Sequence, residues 1–344
     1  MKERNHLIDV LRGITALNII VIHTVWWSGQ GYVPDWVRNL VLLLDVPMFF
    51  FLAGWSASYA KAIHVFRGLL ENQKKWLFFM FFYGLIVEFF YTPGYSMMQW
   101  IRIFFFEFPN YSSWVYPVLF GSLWFMPIFI GVSLIAIPFR LIFENLDELN
   151  RKRMGLSVVW IFALAFAYVA LGNSILNLSI AVLFYAIFYT LGYYTKDITI
   201  KNSKILLLYL ILIVFAEIIL YRFFSVDVFE LQTWKFGPSV PYLIPSMISI
   251  VLVLFIKSKW YPKEHRLITW VGKNAIFLYF AQGISSSILY EFLLYIPLIY
   301  WPVRFLIALV FNVILALGIA YGVASLYQYS TVVIQRFSNK FYLD

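Results

Sequence analysis

Apolar residues along this chain come in long unbroken runs, not in the alternation of a half-buried strand or the striped face of a soluble helix. A helix needs about 20 apolar residues to cross the hydrocarbon layer of a bilayer. Ten runs approach or exceed that length, at about 7–27, 37–60, 76–92, 118–142, 156–172, 174–195, 204–224, 240–257, 267–290 and 298–328. Runs that are apolar all round read as membrane helices. The pattern therefore predicts an all-α fold, a polytopic bundle of about ten transmembrane helices. It fills residues 1–344 as a single domain and leaves no stretch for a separate soluble one. The aromatic segment around Met97–Phe108 predicts an interfacial or re-entrant piece. No small-residue cleavage site follows the first run, so it is expected to stay in the protein as its first helix. No internal repeat of the kind that builds transporters from inverted halves is visible.

Composition agrees with lipid as the solvent. Hydrophobic residues make up 62% of the chain and charged residues 12%, where a soluble domain carries about 25% charged residues. The net charge is +9, but the cations are scattered between apolar runs and form no basic face. Nucleic-acid binding is therefore not expected. With the N-terminus inside, nineteen of the 26 Lys and Arg fall in inside segments and five (Arg38, Arg102, Arg222, Lys235, Arg304) in outside ones. This asymmetry predicts an even number of spans with both termini cytoplasmic. With no cysteine in the chain, disulfides, thiolate metal sites and a Cys nucleophile are excluded. No HExxH, phosphate-loop or GxSxG pattern occurs, and no metal is expected.

Ionisable groups inside a span cost about 2.5–3.5 kcal/mol at its centre, so each needs a partner or a task. The first span carries the densest set: Asp9, Arg12, Asn18 and His23. Asp9 and Arg12, three apart, can pair on one helix face. Arg12 and His23 are eleven residues apart, which returns to nearly the same face about 16 Å further along the axis. One stripe thus offers an anion contact near one mouth and a proton acceptor deeper in. A neutral imidazole can take a proton from an attacking hydroxyl. The same residues are equally consistent with a histidine held by interhelical hydrogen bonds and an arginine snorkelling at a flank. Glu88, about 21 Å along its helix from Lys74, could orient His23 or pair with an outer arginine. Glu217 is read as a structural group, and Asp45 as facing either the same cavity or water. His6, His64 and His265 sit at expected cytoplasmic edges or loops.

These residues resemble a known pattern, that of the acyltransferase-3 family of integral-membrane O-acyltransferases, and especially its bacterial sugar and polysaccharide O-acetylase branch. Asp9-Val-Leu-Arg-Gly13 followed by His23 is similar to the family's N-terminal D-x-L-R-G and His. VPMFFFLAGWSAS (Val46 to Ser58), LWFMP (Leu123 to Pro127) and VGKNAIFLYFAQ (Val271 to Gln282) resemble three further blocks, in the expected order. The resemblance implies acetyl-CoA, or another acyl-CoA, as a donor used from the cytoplasm, and a hydroxyl acceptor on a glycan or glycolipid. It implies Arg12 as a cofactor contact and His23 as the catalytic base. Lys74, Lys75 and Asn274 are further cofactor-binding candidates. Glu88 is a second catalytic candidate, and Asp9, Trp124 and Tyr279 are orienting ones. The chain departs from the pattern at Pro47, where many members carry Asp, at Gln282, where a His often ends the block, and at Lys74–Lys75, which only loosely echo R-x-x-R. The implied setting is a bacterial plasma membrane, with the oligomeric state left open. The rival class is a transporter or flippase for a lipid-linked glycan or small anion, with Arg12 and His23 lining a path.

Overall fold

The computed structural model describes residues 5–27, 31–91, 96–105, 117–144, 146–171, 177–224, 230–260, 262, 266–295 and 300–341. Among them every regular element is helical. In chain order the helices are α1 (His6–Trp27), α2 (Asp35–Val41), α3 (Val46–Ala57), α4 (Ala62–Tyr91), α5 (Met97–Phe104), α6 (Pro117–Ser122), α7 (Phe125–Glu144), α8 (Glu148–Leu171), α9 (Asn177–Tyr194), α10 (Ser203–Phe224), α11 (Leu231–Lys235), α12 (Val240–Lys259), α13 (Arg266–Lys273), α14 (Ala275–Phe292) and α15 (Trp301–Phe341).

Six helical stretches are long and apolar enough to cross a membrane: His6–Trp27, Asp35–Ala57, Phe125–Glu144, Ser203–Phe223, Val240–Lys259 and Trp301–Gln335. In α10, Leu207, Leu208, Ile211, Leu212, Phe215 and Ile218 are all exposed, as expected where lipid is the solvent. The other four expected spans lie on α4, α8, α9 and α13–α14. These carry Lys74, Lys75 and Glu88, or the basic run at 151–153, or end and break early.

Three expected spans are interrupted. The run at 37–60 is not one helix: it tightens to a 3-10 turn at Leu42–Leu44 and breaks at Asp45, whose backbone is extended (φ −118°, ψ −158°) before Pro47 in the first turn of α3. The run at 267–290 breaks at Asn274 between α13 and α14. The run at 118–142 turns at Leu123–Trp124 between α6 and α7. The last run continues well beyond 328, to Phe341. The expected interfacial piece is α5, opened by a capping box between Ser96 and Gln99; residues 106–108 of that expectation lie outside the described residues.

The chain forms two compact units. The first comprises Met1–Asn18, Pro34–Leu69 and Phe125–Lys273. Its centre is α9, against which α3, α7 and α8 pack. Contact between α3 and α9 is backbone to backbone: a Cβ on Gly54 would lie 1.8 Å from the Tyr189 carbonyl oxygen, and one on Gly192 1.9 Å from that of Phe51. Small residues permit this approach, and helices in lipid associate through packing at such points. The second unit comprises Ile19–Val33, Leu70–Trp124 and Asn274–Asp344. Here α14 packs on α15 and α6, and Gly283 brings α14 onto Leu119.

Candidate active site

Arg12 sits on the first half of α1, partly exposed, with Nη1 3.9 Å from Oδ1 of the buried Asp9. The backbone of this segment is pressed against α13. A Cβ on Gly272 would lie 1.9 Å from the Asp9 carbonyl oxygen, and one on Gly13 2.3 Å from that of Ile268. Two motif blocks far apart in sequence, Asp9–Gly13 and Val271–Lys273, therefore interlock through their glycines. The contact also brings the exposed Lys273, which directly follows Gly272, to the segment that carries Arg12. Sequence reasoning passed over Lys273 as a residue within a span. The signal was present in its place directly after the glycine of the V-G-K-N block.

Asn18 has a structural task. Its Nδ2 donates to the carbonyls of Val41 (3.0 Å) and Leu44 (2.6 Å), covering the backbone acceptors where α2 ends. Asp45 does not face water. It is buried, and its Oδ2 accepts from Lys235 Nζ at 2.7 Å and from the Tyr242 hydroxyl at 2.8 Å.

In the second unit His23 is half-buried on the last turns of α1, next to the buried Thr24. Thr24 Oγ1 accepts from Asn312 Nδ2 at 2.9 Å, and the same Nδ2 reaches Ser286 Oγ at 3.0 Å. Asn312 Oδ1 accepts from Ser285 Oγ at 2.6 Å. The helix end that carries the imidazole is thus tied to α14 and α15 by a buried polar network, which sequence reasoning did not single out. On α14 a polar row runs on: Tyr279 donates to the Ser122 carbonyl at 2.6 Å, and Gln282 Nε2 donates to the Tyr279 carbonyl at 3.0 Å. Trp124, half-buried, is two residues beyond Ser122. Gln282 is buried, and its Oε1 accepts no hydrogen bond.

Glu88 is held elsewhere. Its Oε1 accepts from the Trp100 indole at 2.6 Å, so α5 supplies its partner, and it makes no hydrogen bond to His23. Lys74 is exposed and pairs with Glu71 at 3.6 Å. Lys75 lies 5.5 Å from the centroid of the Phe277 ring, at the first turn of α14 and three residues past Asn274. Burial lowers the Lys75 ammonium below the usual lysine range, opposed in part by the Glu71 charge. Glu217 has both carboxylate oxygens buried without a partner, and His64 is exposed at the start of α4; His265 lies outside the described residues.

The first unit also holds an open cleft of about 420 Å³ between α7, α8 and α9. It contains none of the motif residues. Its one cation, Arg140, is engaged by the Ala60 carbonyl, by Glu144 at 3.4 Å and by the Tyr193 ring.

Comparison with known proteins bears on the whole chain. The family model Acyl_transf_3, described as an acyltransferase domain, matches residues 5–321. No curated protein and no solved structure matches.

Proposed function

The chain belongs to the Acyl_transf_3 family of acyltransferase domains, and we propose that it is a membrane O-acyltransferase that moves an acetyl group from cytoplasmic acetyl-CoA to a hydroxyl of a glycan or glycolipid. The observation that carries this reading is the family match from residue 5 to residue 321, which takes in all four motif blocks. The setting is a bacterial plasma membrane, crossed about ten times with both termini cytoplasmic, as the asymmetry of Lys and Arg supports.

In this mechanism the anionic donor is drawn to the basic cytoplasmic loops. Arg12 takes up its phosphates by charge-assisted hydrogen bonds, with Lys74 and Lys75 as further cations and Asn274 as a polar contact. Asp9 holds the Arg12 side chain in place. The acceptor hydroxyl attacks the thioester carbonyl as the His23 imidazole removes its proton. The tetrahedral intermediate collapses, the carbon–sulfur bond breaks, and the proton on His23 passes to the departing CoA thiolate. Asn274, Trp124 and Tyr279 frame the reacting group. The hydrogen bond from Trp100 suits Glu88 less to orienting His23 than to fixing α5.

The test is label transfer from radiolabelled acetyl-CoA by the purified protein, with cell-envelope glycans as acceptor. Wild type should transfer label and His23→Ala should lose about 100-fold or more of it while remaining folded. Arg12→Ala should weaken CoA binding about tenfold or more. Full turnover by the His23 variant removes the proposed base. Movement of substrate with no thioester consumed points to the transporter class instead.

A further inference from the structure

Arg304 lies in the first turn of α15 and is only 4% exposed. A guanidinium carries five N–H donors and stays charged in proteins. Among the described residues this one makes a single hydrogen bond, from Nη2 to the Leu293 carbonyl at 3.2 Å, in the 3-10 turn that follows α14. One face of the group lies on the Tyr32 ring, 4.7 Å from its centroid. Nε is buried and meets no acceptor. One turn further along α15, Ala308 joins a dry cluster with Leu289, Leu293 and Phe311. Glu291 is close in sequence to Leu293, yet it is exposed and forms no ion pair with Arg304. The other buried or half-buried guanidinium described above, that of Arg140, has a carboxylate beside it.

A buried, permanently charged group whose Nε meets no acceptor and which has no carboxylate beside it among the described residues is costly. A ring face and one carbonyl do not neutralise it. The group also stands at the positive end of a 41-residue helix, where the macrodipole favours an anion further. Position adds a second point. Asn312, two turns along α15, bonds to Thr24 near the C-terminal end of α1, and Tyr32 follows that end. Arg304 therefore stands on the side of His23 that faces away from the N-terminus of α1.

We propose that Arg304, with the Tyr32 ring and the first turn of α15, forms an oxyanion site that takes a phosphate ester. The planar fork suits bidentate contact with phosphate oxygens. The ester can come from a membrane lipid headgroup or from a phosphorylated sugar, and the experiment separates the two.

Full-length protein in dodecyl maltoside is titrated with phosphatidylglycerol against phosphatidylcholine, and separately with glucose 1-phosphate against glucose. The melting temperature is read from tryptophan fluorescence. Wild type should rise by about 3 °C at saturation with one of the anionic probes and with neither neutral one. A response to phosphatidylglycerol alone names the headgroup, and a response to glucose 1-phosphate names the soluble ester. Arg304→Gln and Arg304→Met should bind the active probe at least about tenfold more weakly, whereas Arg222→Gln, at an exposed cation on α10, should keep the response. No acyl donor is present, so failure here leaves the transfer reaction untouched. A wild type that ignores both anions overturns the proposal. So does an unchanged response in folded Arg304 variants, or the failure of both Arg304 variants to fold, which would make the residue a structural cation.

Discussion

Each compact unit buries a cation, and the two are treated in opposite ways. In the first unit Lys235 is locked to Asp45 at 2.7 Å, with the Tyr242 hydroxyl on the same carboxylate oxygen. In the second, Arg304 has one carbonyl and one ring face and no carboxylate. The ion pair joins α11 to the break between α2 and α3, where two chain segments meet. Its charges cancel within the fold, so nothing outside the protein is needed to hold them. Arg304 joins no two segments by charge. Its cost is sustained by the fold and is offset only by something that brings a negative charge. The difference teaches where to look in a membrane protein: a buried charge that is paired marks architecture, and one that is unpaired marks a ligand.

Breaking the paired side should have the largest effect. Asp45→Ala takes the carboxylate at 2.7 Å away from the buried Lys235 and should lower unfolding stability by about 3–5 kcal/mol in denaturant titrations in detergent. Asp45→Leu combined with Lys235→Met removes both charges and should recover most of that loss. If the double variant is as unstable as the single one, the pair is not what the site contributes. A neutral buried network gives an intermediate case. Asn312→Ala deletes the hydrogen bonds to Thr24, Ser285 and Ser286 and should cost about 1–2 kcal/mol in the same titration. The smallest loss belongs to the cation without a carboxylate: Arg304→Met, measured without added anion, should not lower stability and should raise it if anything, because it removes a buried charge that the Leu293 carbonyl and the Tyr32 ring do not neutralise. A loss as large as that of Asp45→Ala would erase the contrast between the two sites.

The motif residues divide along a similar line. Gly13, Gly54 and Gly272 stand where a Cβ would collide with a facing backbone carbonyl; part of what looks like a catalytic signature is therefore packing. The Asp9–Gly13 and Val271–Asn274 blocks are grouped by resemblance, but what joins them physically is the close approach at Gly13 and Gly272. Arg12 lies in sequence between the two residues of α1 that Gly272 meets, Asp9 and Gly13, and Lys273 directly follows Gly272.

Long apolar runs were enough to read the helical class and the lipid setting, because burying or exposing a helix that is apolar all round is decided by its composition, whatever it touches. The spacing of Arg12 and His23 along α1 was legible for a related reason: both lie on one helix, His6–Trp27, and residues on one helix keep their spacing in any fold. The breaks at Asp45 and Asn274 were not legible, since a few polar residues in an apolar run cost little hydropathy while redirecting the backbone. Partners were least legible of all. Glu88 meets Trp100, Asp45 meets Lys235, and among the described residues Arg304 meets Tyr32 and a carbonyl. Which charges meet depends on contacts between segments from about a dozen to hundreds of residues apart, and distance in space is a quantity that periodicity along one chain does not contain.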